Sequence, residues 1–122
     1  MAVKEIRVEI KYGDICYVDF GDNNVGSEQN GVRPAIIIQN DKGNEFAPTT
    51  IVASITSQGK KLMPTHVVVY PEQSGLKKTS TIMFEQIRTI DKTRIVNKVG
   101  HIDTNFLVEK IKKSLTISLN MV

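Results

Sequence analysis

The feature that most constrains this chain is its series of short β-branched runs, each too brief for a helix, separated by Gly-, Asn- and Pro-rich connections. Residues 14–20 alternate Ile15, Tyr17 and Asp19 with Cys16, Val18 and Phe20, in strand fashion. Pro34 opens AIIIQ, a run so continuously apolar that a strand buried on both faces is expected. TIVASIT (50–56), THVVVY (65–70) and residues 80–84 read as further strands, with PEQSGLKK as a turn between the last two. EQIRTI (85–90) is expected to be less regular, and residues 93–99 to form one last strand. Asp103 then suits the N-cap of a helix reaching about Ser118, with Leu107, Ile111 and Leu115 on one stripe. Lys110, Lys112 and Lys113 fall mostly on its other, solvated face, toward the end where the helix dipole favours cations. Five or six short strands closed by one helix predict a mainly β protein, a small curved or barrel-like antiparallel sheet.

The chain's 122 residues suffice for one compact domain, expected over residues 1–122, and no repeat or linker divides them. Hydrophobic residues make up 40% and charged residues 24%, a globular balance. No apolar run nears the roughly 20 residues that span a bilayer, so no membrane association is expected. The opening MAVKEIRVEIKYGD interleaves charge too evenly for a signal peptide, which makes a cytoplasmic location the expectation. Cys16 is the single cysteine and lies in an apolar stretch, so it reads as a buried structural thiol. His66 and His101 lie far apart without ligand spacing, and His66 begins a strand while His101 precedes the helix, so neither a metal site nor a histidine acid–base pair is expected. No cofactor is implied. The net charge of +3 favours a polyanionic partner, but the basic residues are spread along the chain and only folding can gather them.

The connections are therefore the place to look for chemistry. GDNNVGSEQNGVRP (21–34) reads as one long loop, and loops above about 12 residues in compact domains are commonly functional. Proline disfavours the helical region for the residue before it, so Arg33 is expected to be extended where loop meets strand. DKGNEFAPT (41–49) reads as a turn-rich connection, and residues 57–64 as a second polar, basic loop. The sequence carries no Gly-rich phosphate loop, no G-x-S-x-G elbow and no zinc-enzyme histidine pair.

GSEQNGVRPAIIIQNDKGNEFAPTTIVASIT (26–56) resembles the signature region of the MazF/PemK family of toxin endoribonucleases, and PTHV (64–67) and FEQIRTIDKTRI (84–95) are similar to later blocks of the same family, in the same order. The resemblance covers roughly residues 11–119. It implies an SH3-like barrel of twisted antiparallel strands with a C-terminal α-helix, normally a homodimer. It implies metal-independent cleavage of single-stranded RNA (mRNA) at short motifs. It also implies a cognate antitoxin whose disordered C-terminal segment folds onto the toxin and covers the active site, with DNA binding only through that complex. Carried over residue by residue, Arg33 in GVRP and Thr56 at the end of VASIT match the catalytic positions. The alternative, from another class, is a non-catalytic SH3-like binding module or a topoisomerase-poisoning toxin of the same fold. Without the resemblance, Arg33 reads as a surface arginine paired with Glu28 or Asp41, and Thr56 as an ordinary strand threonine.

The chemistry agrees with those assignments. Metal-free RNA cleavage uses the ribose 2′-OH against the adjacent phosphate and leaves a 2′,3′-cyclic phosphate and a 5′-OH. It needs proton transfer at two oxygens and stabilisation of the added charge on phosphorus. A guanidinium suits the last task through planar, bidentate donors and is a poor proton carrier. Arg33 is therefore expected chiefly to clamp the transition state, and Thr56 to bond a phosphate oxygen through its hydroxyl or the next backbone N–H. Weaker RNA-contact candidates are Ser27, Glu28 and Gln29 in the long loop, Ser57, Gln58 and Met63 in the second loop, and Glu85, Gln86 and Arg88 after the fifth strand.

Overall fold

The computed structural model describes residues 8–26, 29–59, 61–102 and 105–121. Six strands form one antiparallel sheet: β1 (Asp14–Asp19), β2 (Val32–Ile37), β3 (Thr49–Thr56), β4 (His66–Val69), β5 (Ser80–Asp91) and β6 (Ile95–His101). Their order across the sheet is β4-β5-β3-β2-β1-β6. The helices are α1 (Asp41–Phe46), α2 (Pro71–Ser74) and α3 (Asn105–Ser118). The sheet curls into a half-barrel with α3 at the C-terminal end, the mainly β architecture expected of the sequence. No helix among the described residues is long and apolar enough to cross a membrane.

Alternation along the strands builds two cores on opposite faces of the sheet. Ile15, Ile36, Ala53 and Ile55 join Phe84 and the α3 residues Leu107 and Ile111. Cys16, Val18, Ala35, Ile37 and Val52 join Phe20, Ile90 and Ile95 on the other face. AIIIQ is thus buried on both sides because its neighbours contribute apolar residues to both cores. Ile15, Ile36, Ile37 and Ile55 are at most 1% exposed, and each stabilises the fold by about 1.5–3 kcal/mol through burial. The α3 stripe is as expected, with Leu107 and Ile111 buried, Leu115 packed against the first core, and Lys110, Lys112 and Lys113 exposed.

Several boundaries differ from the sequence reading, each for a local reason. The first long loop ends at Gly31, because Val32, Arg33 and Pro34 pair with Asp19, Val18 and Tyr17. The 41–49 connection contains α1, capped by the Asn40 side chain accepting from Gly43 N; six residues are too few to show a helical period. PEQS is one helical turn ended by Gly75 in the left-handed region at φ +76°. EQIRTI belongs to β5, which runs unbroken for 12 residues. Its irregularity is real but confined, since Ser54 faces Met83 while Ala53 faces Ile87, leaving Phe84, Glu85 and Gln86 opposite no partner on β3. The last strand begins at Ile95 after a 3₁₀ turn and extends to His101. The expected N-cap, Asp103, lies outside the described residues.

Candidate active site

A proline opens the site. β2 and β3 pair at Ile37↔Val52, Ile36↔Ala53 and Ala35↔Ser54, and no further. Ile38 N donates to Ile51 O at 2.8 Å, so the hydrogen-bonded pairs run 38·51, 36·53 and, by alternation, 34·55. Position 34 is proline, which has no N–H to give to Ile55. Beyond it β2 stays with β1 (Tyr17↔Pro34, Val18↔Arg33), while β3 stays with β5 (Ile55↔Ile82, Thr56↔Thr81). The two strands part around a cleft of about 300 Å³ lined by Arg33, Pro34, Ile55 and Thr56. Continuing the β2–β3 register two residues past Ala35↔Ser54 sets Arg33 across from Thr56, which is why both reach the same cleft.

Each of the two is held by backbone. Arg33 Nε donates to Asn30 O at 3.1 Å, which restrains the guanidinium plane, and among the described residues its Nη groups have no hydrogen-bond partner. Asn30 belongs to a loop organised by Asn24, whose Nδ2 donates to Phe20 O (2.8 Å) and Gln29 O (2.7 Å) and whose N–H reaches Asn30 Oδ1 (3.1 Å). The loop stem is closed by Phe20 N to Gly31 O and Gly31 N to Gly21 O, at 2.9 and 2.7 Å. Thr56 Oγ1 accepts from Gln58 N at 3.2 Å, and among the described residues its O–H has no acceptor, so it can donate to a bound anion. The pairing of Arg33 with Asp41 does not occur: Asp41 instead accepts from Tyr12 N at 2.6 Å, a bond that holds its carboxyl below the usual range. Among the described lining residues the cleft has three cations, Arg33, Lys77 and Lys78, and no carboxylate.

The remaining sequence candidates divide between three places. Gln29, Ser57 and Gln58 line the Arg33–Thr56 cleft. Gln86 and Arg88 line an adjoining pocket that shares Gln29 with it; the Arg88 guanidinium lies 5.6 Å over the Phe20 ring and donates to Phe20 O at 3.3 Å. Glu85 and Met63 lie elsewhere. Glu85 ties β5 to β4, accepting from Thr65 Oγ1 (3.0 Å) and meeting His66 Nε2 (2.9 Å). Burial pushes the Glu85 carboxyl up, but the bonds from His66, from backbone and from Thr65 win and hold it below its ordinary value. Met63 lines an apolar groove against α3 with Leu62, Pro64 and Ile117. Ser27 and Glu28 lie outside the described residues.

His66 and His101 sit on the two edge strands of the sheet, and His101 Nδ1 meets the buried Asp14 at 2.7 Å, so they form no acid–base pair. Cys16 is fully buried, and burial, with Asp14 adding to it, pushes its thiol up to about 11. Among the described residues no three His, Cys, Asp or Glu side chains gather as metal ligands.

Sequence reasoning missed four polar lining residues, Tyr17, Lys77, Lys78 and Ser80, besides the apolar Pro34, Ile55 and Leu76. Lys77 and Lys78 carried a signal, two adjacent cations in a turn, but only the fold brings that turn to the cleft. Tyr17 carried none, because in the largely apolar stretch DICYVDF a tyrosine reads as an ordinary strand residue.

Residues 11–119 match the family described as PemK-like, MazF-like toxins of type II toxin–antitoxin systems. The chain belongs to that family. This PemK/MazF-like toxin is 46% identical over 114 residues to Endoribonuclease EndoA of Bacillus subtilis (strain 168), covering 93% of the chain and 97% of the relative. Its fold matches a mycobacterial endoribonuclease solved in complex with its cognate antitoxin, with a TM-score of 0.77, 21% identity and coverage of 93% and 97%. It matches MazF of Deinococcus radiodurans with the same TM-score at 19% identity, covering 93% of the toxin chain and 99% of that structure.

Proposed function

We propose that this toxin endoribonuclease cuts single-stranded RNA in the Arg33–Thr56 cleft, without a metal ion, by attack of a ribose 2′-OH on the adjacent phosphate. The products are a 2′,3′-cyclic phosphate and a 5′-OH. The observation that carries the reading is a cleft opened at Pro34, with Arg33 and Thr56 in continued register and no carboxylate among its described lining residues. A phosphodiester entering it meets the Nη donors of Arg33, fixed in plane by Asn30 O. Two phosphate oxygens fit that fork, and the charge added at phosphorus strengthens both bonds as the pentacoordinate state forms. The Thr56 hydroxyl, already accepting from Gln58 N, donates to one of the same two non-bridging oxygens. Arg33 acts as the charge clamp, and proton transfer falls to other groups.

Gln29, Ser57, Gln58, Gln86 and Arg88 are proposed to contact bases or backbone along the track from the cleft into the adjoining pocket. Glu85 and Met63, on the far side of β5 and near α3, act at most on outlying nucleotides. The chain is read as a single domain over 1–122, because both cores share one sheet. By analogy with the solved toxin–antitoxin complexes, its partner is a cognate antitoxin, whose C-terminal segment would compete with RNA for the cleft; a second copy of the chain is the further partner that the family resemblance implies. DNA is bound only through that complex, and the site of action is the cytoplasm, where mRNA is the substrate.

The test is incubation of the purified protein with long single-stranded RNA in EDTA. Discrete fragments bearing 5′-OH ends are expected; RNA left intact would sink the reading.

A further inference from the structure

The turn between α2 and β5 puts Lys77 and Lys78 on the cleft wall. This turn is built to a fixed position. Gly75 approaches β6 so closely that a Cβ on it would lie 2.1 Å from Val99 O, and a Cβ on Gly100 would lie 2.0 Å from Ser74 O. These two glycines let α2 seat directly on β6, and Gly75 at φ +76° turns the chain out of the helix. Leu76 then plunges into the first core at 6% exposure, with its N–H bonded to Ser74 Oγ at 3.0 Å. On the far side Ser80 Oγ donates to Lys78 O at 2.9 Å. The two lysines between these anchors are exposed, and among the described residues neither is in an ion pair. Two cations held by a fixed turn beside Arg33, with no ion pair among the described residues, gather positive charge on one wall of the cleft, where it favours an anionic ligand.

We propose that Lys77 and Lys78 form a second phosphate-binding wall of the cleft. They grip the RNA backbone next to the scissile phosphate and supply sequence-independent affinity, while Arg33 and Thr56 act on the reacting phosphate. This rests on the endoribonuclease reading above. A single RNA strand is the ligand the geometry favours, because its repeated phosphates place charges at Arg33 and at the lysine wall together. The lysine ammonium groups are point charges on flexible stems, suited to holding backbone rather than to reading bases.

The experiment measures steady-state cleavage of a long single-stranded RNA in EDTA across a range of salt. It compares wild type, Lys77→Ala/Lys78→Ala, Lys77→Arg/Lys78→Arg, and Lys42→Ala/Lys113→Ala, which removes the same charge elsewhere. The alanine pair at the turn is expected to raise KM about tenfold, the size of losing two exposed ion pairs, with kcat within about threefold of wild type. Its dependence of log(1/KM) on log salt should be shallower by about 1.4, two contacts' worth for a single strand. The arginine pair should restore both, and the distant pair should behave as wild type. A wild type that cuts while the turn variant keeps the same KM and salt slope would overturn the proposal alone. A wild type that leaves RNA intact would overturn the underlying reading as well.

Discussion

At the scale of single residues, the proposed site depends on groups outside the cleft lining. Arg33 is aimed by one bond to the Asn30 carbonyl, and Asn30 is placed by Asn24, whose side chain ties Phe20 O to Gln29 O across the loop. Neither link could be read from GDNNVGSEQNGVRP, where the asparagines look like generic turn formers. The resemblance identifies Arg33 and Thr56, and residue chemistry supplies their roles, but what orients them is visible only in three dimensions. Replacing Asn24 with Ala deletes two partly buried hydrogen bonds, each worth about 0.5–1.5 kcal/mol net. Because that loss falls on a surface loop, cutting is expected to slow about tenfold while the thermal midpoint drops by only a few degrees. Kinetics and calorimetry on the same preparation check this, and an unchanged kcat would show that the loop does not position Arg33.

Among the elements, the decisive event is the parting of β2 from β3. Pro34 by itself implies that Arg33 is extended, and Arg33 does lie in β2. The larger consequence, a ladder stopped at Ala35↔Ser54 and a cleft beyond it, needs the register, which a lone proline does not reveal. The same gap explains the misread ends: α1 and α2 are too short for a periodic pattern, and β5 looks broken in sequence because three of its residues, Phe84 to Gln86, face no partner on β3. Pro34→Ala restores an N–H opposite Ile55 O. We expect the ladder to extend by that pair, the cleft to narrow and RNA cutting to fall. Stability should change little, since the new bond offsets the roughly 0.4–1 kcal/mol of added unfolded-chain entropy. Amide hydrogen exchange reads the result directly: in that variant the new amide at position 34 is predicted to exchange slowly, and rapid exchange there would refute the ladder argument.

For the whole molecule, the fold is legible in sequence because its strongest signals are global. Continuous β-branched runs demand burial on both faces, and the amphipathic α3 supplies the cover for one of them. The charge distribution is not legible. A net charge of +3 says little while the cations are scattered along the chain, yet folding gathers Arg33, Lys77 and Lys78 around one cleft with no carboxylate among its described lining residues. That gathering is the physical basis for reading the cleft as a phosphodiester site, with catalysis by charge stabilisation in a frame held by backbone bonds. The chemistry therefore stands or falls on Arg33. Single-turnover cleavage of RNA in EDTA by Arg33→Ala, with its fold verified by an unchanged circular dichroism spectrum, is predicted to be at least about 10²–10³-fold slower than wild type, the loss typical of removing one oxyanion clamp. Cutting at the wild-type rate by the folded variant would contradict it.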